Sequence, residues 1–274
     1  MPEQEVLVKI GFIQFAPILG DVQTTMRQID RLAGLAAGVD LLVLPELCNS
    51  GYNFESPEQV WQTSEMAGDG IFVRYLESLC QQHGFHVVSG LNERDGGRLY
   101  NSAVLVGPQG YVGRYRKLHL FLNEKDNFQP GDGGLPVFDI GQCRVGMLVC
   151  FDWMFPEVWR ILALKGADVI CHPSNLVLHG LAQRAVPIHA LTNRIYVVTA
   201  NRIGTERGLT FKGLSTIADP RGEVLAQAPA AAEEVGIADV DIALARDKRM
   251  TPRNDIWADR RPGDYGVLVD EAYR

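Results

Sequence analysis

A chain of 274 residues, 46% hydrophobic and 22% charged, can bury about three quarters of its unfolded surface in one large core. Its formal net charge of −7 is dispersed along the chain, which argues against a nucleic-acid surface, and no basic stripe offsets that balance. The longest apolar runs, such as 190–200 and 145–151, are interrupted or far short of the ~20 residues that a membrane helix needs.

In chain order, Met1-Pro2-Glu3-Gln4-Glu5 is too acidic for a signal peptide. Strands are predicted over 7–15, 41–44, 87–91, 102–106 and 111–116, and helices over 24–37 and 72–83. Gly107-Pro108-Gln109-Gly110 reads as a hairpin turn. The second half predicts strands over 144–149, 169–172, 196–200, 215–218, 224–226 and 237–240, with helices over 156–165 and 182–193. The pattern is that of one α/β domain spanning 1–274, with two sheets and outer helices. The stretch 246–274 forms a C-terminal tail: its first part is rich in Arg, Lys and Asp with Trp257 among them, and it is a candidate to cross a subunit interface.

The five cysteines, Cys48, Cys80, Cys143, Cys150 and Cys171, have no paired spacing, which suits free thiols in a reducing cytoplasm. The six histidines, at 83, 86, 119, 172, 179 and 189, form no H-E-x-x-H pattern, and no CxxC occurs. No metal or other cofactor is expected.

Two apolar runs end abruptly in reactive side chains: Val43-Leu44-Pro45-Glu46 and Val145-Gly146-Met147-Leu148-Val149-Cys150. In α/β sheets, sites assemble at the carboxyl ends of strands, so Glu46 and Cys150 are expected at one sheet edge. A carboxylate ending a buried strand is partly desolvated, which raises its proton affinity toward that of a useful base. Phe151-Asp152-Trp153 follows the cysteine and a helix begins near Pro156. That turn would offer exposed N–H groups to a thiolate and an oxyanion, with the Phe151 N–H as donor. The segment Tyr115-Arg116-Lys117 adds a cation.

These three segments resemble the Glu-Lys-Cys triad of the nitrilase superfamily, the carbon-nitrogen hydrolases. Tyr115-Arg116-Lys117-Leu118-His119-Leu120-Phe121 with Glu124 is similar to the family's lysine segment and second glutamate. Cys150-Phe151-Asp152-Trp153-Met154-Phe155-Pro156-Glu157 is similar to its nucleophile segment, and the likeness covers roughly residues 6–245. The resemblance implies a four-layer α-β-β-α sandwich, usually doubled across a dimer interface, so a homodimer or higher homo-oligomer. It also implies that Glu46, Lys117, Cys150 and Glu124 are catalytic, with Glu124 orienting Lys117 or substrate. His119 is left as a packing residue, and Cys48 as pocket wall or filler. Tyr52, Phe54, Trp153, Met154 and Asn175 are candidate substrate contacts, mostly apolar, which suggests a small neutral substrate.

Phe151-Asp152 after the cysteine resembles the amidase-like branches, so a small aliphatic amide is expected to give a carboxylic acid and ammonia. The same segment also resembles archaeal members regarded as nitrilases of small dinitriles. N-carbamoyl substrates form a third alternative, although no assignable pocket acid or arginine would select them. An alternative of another class is a binding homologue without turnover.

Overall fold

The computed structural model describes residues 7–273; residues 1–5, on which the reading against a signal peptide rests, lie outside them. The first half runs β1 (Leu7–Gln14), α1 (Val22–Ala33), β2 (Leu41–Val43), α2 (Pro57–Gln62), α3 (Ile71–His83), β3 (His86–Asp95), β4 (Arg98–Gly107), β5 (Gly110–Arg116) and α4 (Glu124–Asn127). The second half runs β6 (Val137–Asp139), β7 (Arg144–Met147), α5 (Pro156–Leu164), β8 (Val169–Ser174), α6 (Leu181–Asn193), β9 (Tyr196–Asn201), β10 (Ile203–Glu206), β11 (Leu209–Lys212), β12 (Thr216–Ala218), β13 (Val224–Gln227), β14 (Glu234–Asp241) and α7 (Ile242–Arg246).

Two six-stranded sheets result, ordered β14-β1-β2-β3-β4-β5 and β13-β12-β9-β8-β7-β6. In each, the inner strands are parallel: β1, β2 and β3 in the first, β7, β8 and β9 in the second. The last long strand closes the first sheet, β14 pairing antiparallel with β1 from Leu7↔Asp241 to Gln14↔Glu234. The expected hairpin is present, with Gly107 paired to Gly110 where β4 turns into β5.

The inner faces of the two sheets share one core, in which Phe12, Val43 and Val88 meet Met147, Cys171 and Val198. On the outer face of the first sheet lie α1 and α3. The buried residues of α1, Thr25, Met26, Ile29, Leu32 and Ala33, recur at helical spacing, and burying each large one stabilises by about 1.5–3 kcal/mol. Asp21 caps α1, accepting from the Thr24 N–H at 2.9 Å. The outer face of the second sheet is covered by α5 and α6, through Val158, Trp159, Leu162, Val186 and Ala190. The layering is therefore α-β-β-α. No helix among the described residues is long and apolar enough to cross a membrane.

Several short elements escaped the sequence pattern. The strands β10 and β11, with α2, α4, β6 and α7, are each six residues or fewer, short enough for periodicity to miss them.

Candidate active site

Glu46 sits just past β2, in the middle of the first sheet. The Leu44 N–H donates to the Val88 carbonyl at 2.8 Å, and the Gly90 N–H to that of Pro45 at 3.0 Å, so β3 carries the pairing beyond the strand's end. At Gly90 the two chains nearly touch: a Cβ there would lie 2.3 Å from the Glu46 Cα and 2.4 Å from the Leu47 nitrogen. Only glycine fits. Leu47 then takes a φ of +48°, reversing the chain and leaving the Glu46 side chain fully buried.

Lys117 follows β5, its N–H donating to the Asn101 carbonyl at 2.8 Å. Its buried ammonium lies 2.7 Å from Glu46 Oε1, and 2.9 and 2.8 Å from the two carboxylate oxygens of Glu124. Burial works to lower the Lys117 pKa, and the charges of Glu124 and Glu46 outweigh it, so the net shift is upward. Asn101 Nδ2 also donates to Glu46 Oε1, at 2.7 Å. Glu46 Oε2 is buried without a hydrogen-bond partner, so it can accept a proton. Glu124 opens the short helix α4 and is buried, held by the Phe121 N–H at 3.2 Å and the Tyr52 hydroxyl at 3.0 Å. Burial raises its carboxyl pKa, with Lys117 opposing.

Cys150 comes from the other sheet. It begins a single 3-10 turn, Cys150–Met154, beyond β7, and its φ of +42° is one that a non-glycine residue adopts at a cost of about 1–3 kcal/mol. Three neighbours hold the turn. His172 Nε2 lies 2.8 Å from the Cys150 carbonyl oxygen. Asp152 Oδ2 accepts from the Val149 N–H at 2.9 Å and the Tyr115 hydroxyl at 2.8 Å. Asp152 Oδ1 accepts from the His119 N–H at 3.2 Å and is 2.8 Å from His119 Nδ1. Burial draws the His172 pKa down to about 4, so the ring is neutral and its Nε2–H donates to the carbonyl. Asp152 thereby ties the lysine segment to the cysteine turn, and His119 stacks on Phe155 at 3.5 Å.

Burial pushes the Cys150 thiol well above its usual 9.0; Glu46 adds to the shift, while Lys117 and a backbone hydrogen bond from Asn175 oppose it. The resting group is therefore a thiol, which needs a base before it can act as a nucleophile. The Phe151 N–H belongs to the first turn of that short helix, where N–H groups lack partners within the helix.

The walls around the thiol are Phe121, Phe151, Trp153, Leu176, Val177 and Leu178. Next to them is a second hollow of about 60 Å³, sharing Val177 and lined by Tyr52, Phe54, Glu124 and Asn127 among others. Of the residues expected to contact substrate, Tyr52, Phe54 and Trp153 thus line these hollows. Met154 does not: its side chain is exposed and outside both linings, because a turn this tight points consecutive residues to different sides. Asn175 is buried, and its Nδ2 donates to the Glu46 carbonyl at 3.0 Å, so it braces the two sheets together. Glu46 and Cys150 also do not share one sheet edge. They stand on facing sheets, and the site lies between them. Glu124, expected to orient Lys117 or substrate, is interior.

His172 and Asp152 went unassigned in the sequence. A histidine inside the apolar strand Val169–Ser174, next in space to the cysteine strand, was the available signal for the first. Cys48 is core filler, its thiol pushed up to about 12 by burial. Among the described residues no group of three or more His, Cys, Asp or Glu could hold a metal ion.

A thiol, a carboxylate and an ammonium enclosed between two sheets define a hydrolase-type centre. The carbon-nitrogen hydrolase family profile matches residues 9–250, and the chain belongs to that family. It is 48% identical to a nitrilase from Pyrococcus abyssi, over 94% of this chain and 99% of that one. It is also 38% identical to an (R)-stereoselective amidase from a Pseudomonas species, over 81% of each. An amidase structure from a Nesterenkonia species superposes with a TM-score of 0.80 at 26% identity, covering 96% of both chains.

Proposed function

We propose that this carbon-nitrogen hydrolase cleaves small, uncharged aliphatic amides to a carboxylic acid and ammonia through a thioester on Cys150. The observation that carries this reading is the open Oε2 of Glu46 in a network that also holds Lys117. Glu46 takes the Cys150 proton as the sulfur attacks the carbonyl carbon. The developing oxyanion accepts from Lys117 and from the Phe151 N–H; an ammonium has three N–H donors, and the two glutamates do not need all of them. The tetrahedral adduct collapses, and the proton on Glu46 passes to the leaving nitrogen, which departs as ammonia. Glu46 then takes a proton from water as the water attacks the thioester, releasing the acid and restoring the thiol.

The hollow walls favour an uncharged acyl group. Glu124, already paired with Lys117, is the only charged side chain among the described lining residues of the two hollows. An N-carbamoyl amino acid or diamine would bring a charge with no counter-charge there. A nitrile is the second reading, favoured by the 48% identity to the Pyrococcus nitrilase. Ammonia release from short amides, the matching nitriles and dinitriles, and N-carbamoyl compounds tests both readings, with Cys150→Ala as control. Release from amides that disappears in the variant supports the first; response to nitriles alone selects the second. Wild-type release by Cys150→Ala sinks the mechanism, and silence across the panel supports a binding homologue.

All five cysteines are unpaired, which supports a reducing, cytoplasmic setting. A self-association through α5, α6 and the tail is supported by exposed Ile161, Leu164 and Ile188, which rim or adjoin a groove of about 790 Å³ that Tyr265, Leu268 and Val269 also line. Light scattering on a chain cut after Asp247 tests this: an unchanged oligomer would remove the tail from the interface.

A further inference from the structure

We propose that Glu206, on the β10–β11 hairpin, is a positioning residue for the catalytic centre, acting through Tyr52 on Glu124. This rests on the reading of Glu124 and Lys117 as catalytic.

The hairpin turns at Arg207 and Gly208, both at positive φ, which projects the end of β10 across the gap toward the loop that follows Glu46. There the buried Glu206 Oε1 accepts from two successive backbone N–H groups, Tyr52 at 2.8 Å and Asn53 at 2.5 Å. Its other oxygen pairs with buried Arg202 at 2.9 Å, so the carboxylate is fixed at both ends. Arg202 stacks on Phe211, 4.4 Å from the ring centre, and Phe211 meets the Tyr52 ring edge-on at 5.8 Å. Backbone and ring of Tyr52 are thus both gripped by the hairpin. Gly51 makes the approach possible, since a Cβ there would lie 2.9 Å from Glu206 Oε2.

The consequence falls on Glu124. The Tyr52 hydroxyl donates to its Oε1 at 3.0 Å, and a donor to the ionised form keeps a carboxylate charged. While Glu124 is ionised it shares Lys117 with Glu46, leaving Glu46 free to take the thiol proton. With Glu124 protonated, Lys117 turns wholly to Glu46 and occupies the carboxylate that is to receive the thiol proton. Glu206 therefore governs the lower pH limit of thiol activation without touching substrate.

The test measures alkylation of Cys150 by iodoacetamide, followed by peptide mass spectrometry across about pH 5 to 9. It compares the wild type, Tyr52→Phe, Glu206→Gln and the double variant. Both single variants are expected to slow the reaction about tenfold and move its acid limb up by about half to one pH unit. The double variant is expected to be no slower than the slower single. Multiplicative effects, or an acid limb unmoved in Glu206→Gln, would overturn the proposal. Should Glu206→Gln not fold, Glu206→Asp withdraws the carboxylate from the two N–H groups while keeping the charge beside Arg202, and it is read the same way. Alkylation needs no turnover, so these shifts in a chain silent toward amides, nitriles and N-carbamoyl compounds alike would uphold the role of Glu206 and reject the proposed function.

Discussion

On the side of the first sheet the site rests on charge, with the buried Lys117 ammonium set between the buried carboxylates of Glu46 and Glu124. On the side of the second it rests on backbone shape, with Cys150 at a φ of +42° and its carbonyl held by His172. The difference follows from what each group must do. In the proposed mechanism Glu46 is the base and Lys117 an oxyanion donor, and both work through charges that are costly to bury unless paired. A thiol starts neutral, so its half needs position, and a strained turn supplies that where neighbours over-determine it.

The sharpest break of this contrast is Lys117→Met, which strands two carboxylates in the interior. It should destabilise by about 3–5 kcal/mol and abolish turnover; an unchanged thermal midpoint would show that the charged half needs no internal pairing. The backbone half should instead respond to His172. Its pKa falls from 6.5 unfolded to about 4 folded, so between those values the unfolded chain binds more protons. Its share of stability is complete above the unfolded value and declines as pH falls toward 4, by up to about 3 kcal/mol. Denaturant melts of the wild type and His172→Asn across that window should diverge in slope, and parallel curves would reject the assignment.

Smaller in effect, Gly90→Ala sharpens the comparison by disturbing the backbone of the charged half. The added methyl meets the Glu46 backbone, costing about 1–3 kcal/mol, and kcat should fall more than KM rises. An intact kcat would mean that Glu46 tolerates displacement. Least of all, Tyr115→Phe removes one donor to Asp152 and one acceptor for the Leu118 N–H, about 1 kcal/mol by urea melts. A loss as large as that of Lys117→Met would erase the contrast.

Much of this was legible in the chain itself. The inner strands, the long helices and the β4–β5 turn carry periodicity and turn chemistry that act locally, and the observed elements fall within a few residues of expectation. The strand-end positions of Glu46 and Cys150 are legible for the same reason, since an apolar run stopped by a reactive residue is a local pattern. Glu124 shows the limit of local pattern, since only the family resemblance singles it out. Leu122-Asn123-Glu124-Lys125-Asp126 reads as solvated because nothing nearby in sequence reveals that Tyr52 and Lys117 close over its first carboxylate.

By itself, then, the sequence determined the α/β class, the order of strands and helices and the reactive residue types, all set by neighbours within a few positions. Tertiary structure alone decided that Glu46 and Cys150 face each other from different sheets, that Asn175 braces them and Met154 turns away, and that Asp152, His172 and Glu206 hold the parts in place. Those relations join residues as much as 154 positions apart, as with Tyr52 and Glu206. No local pattern records them, because they exist only once burial of the two inner faces has brought the sheets together.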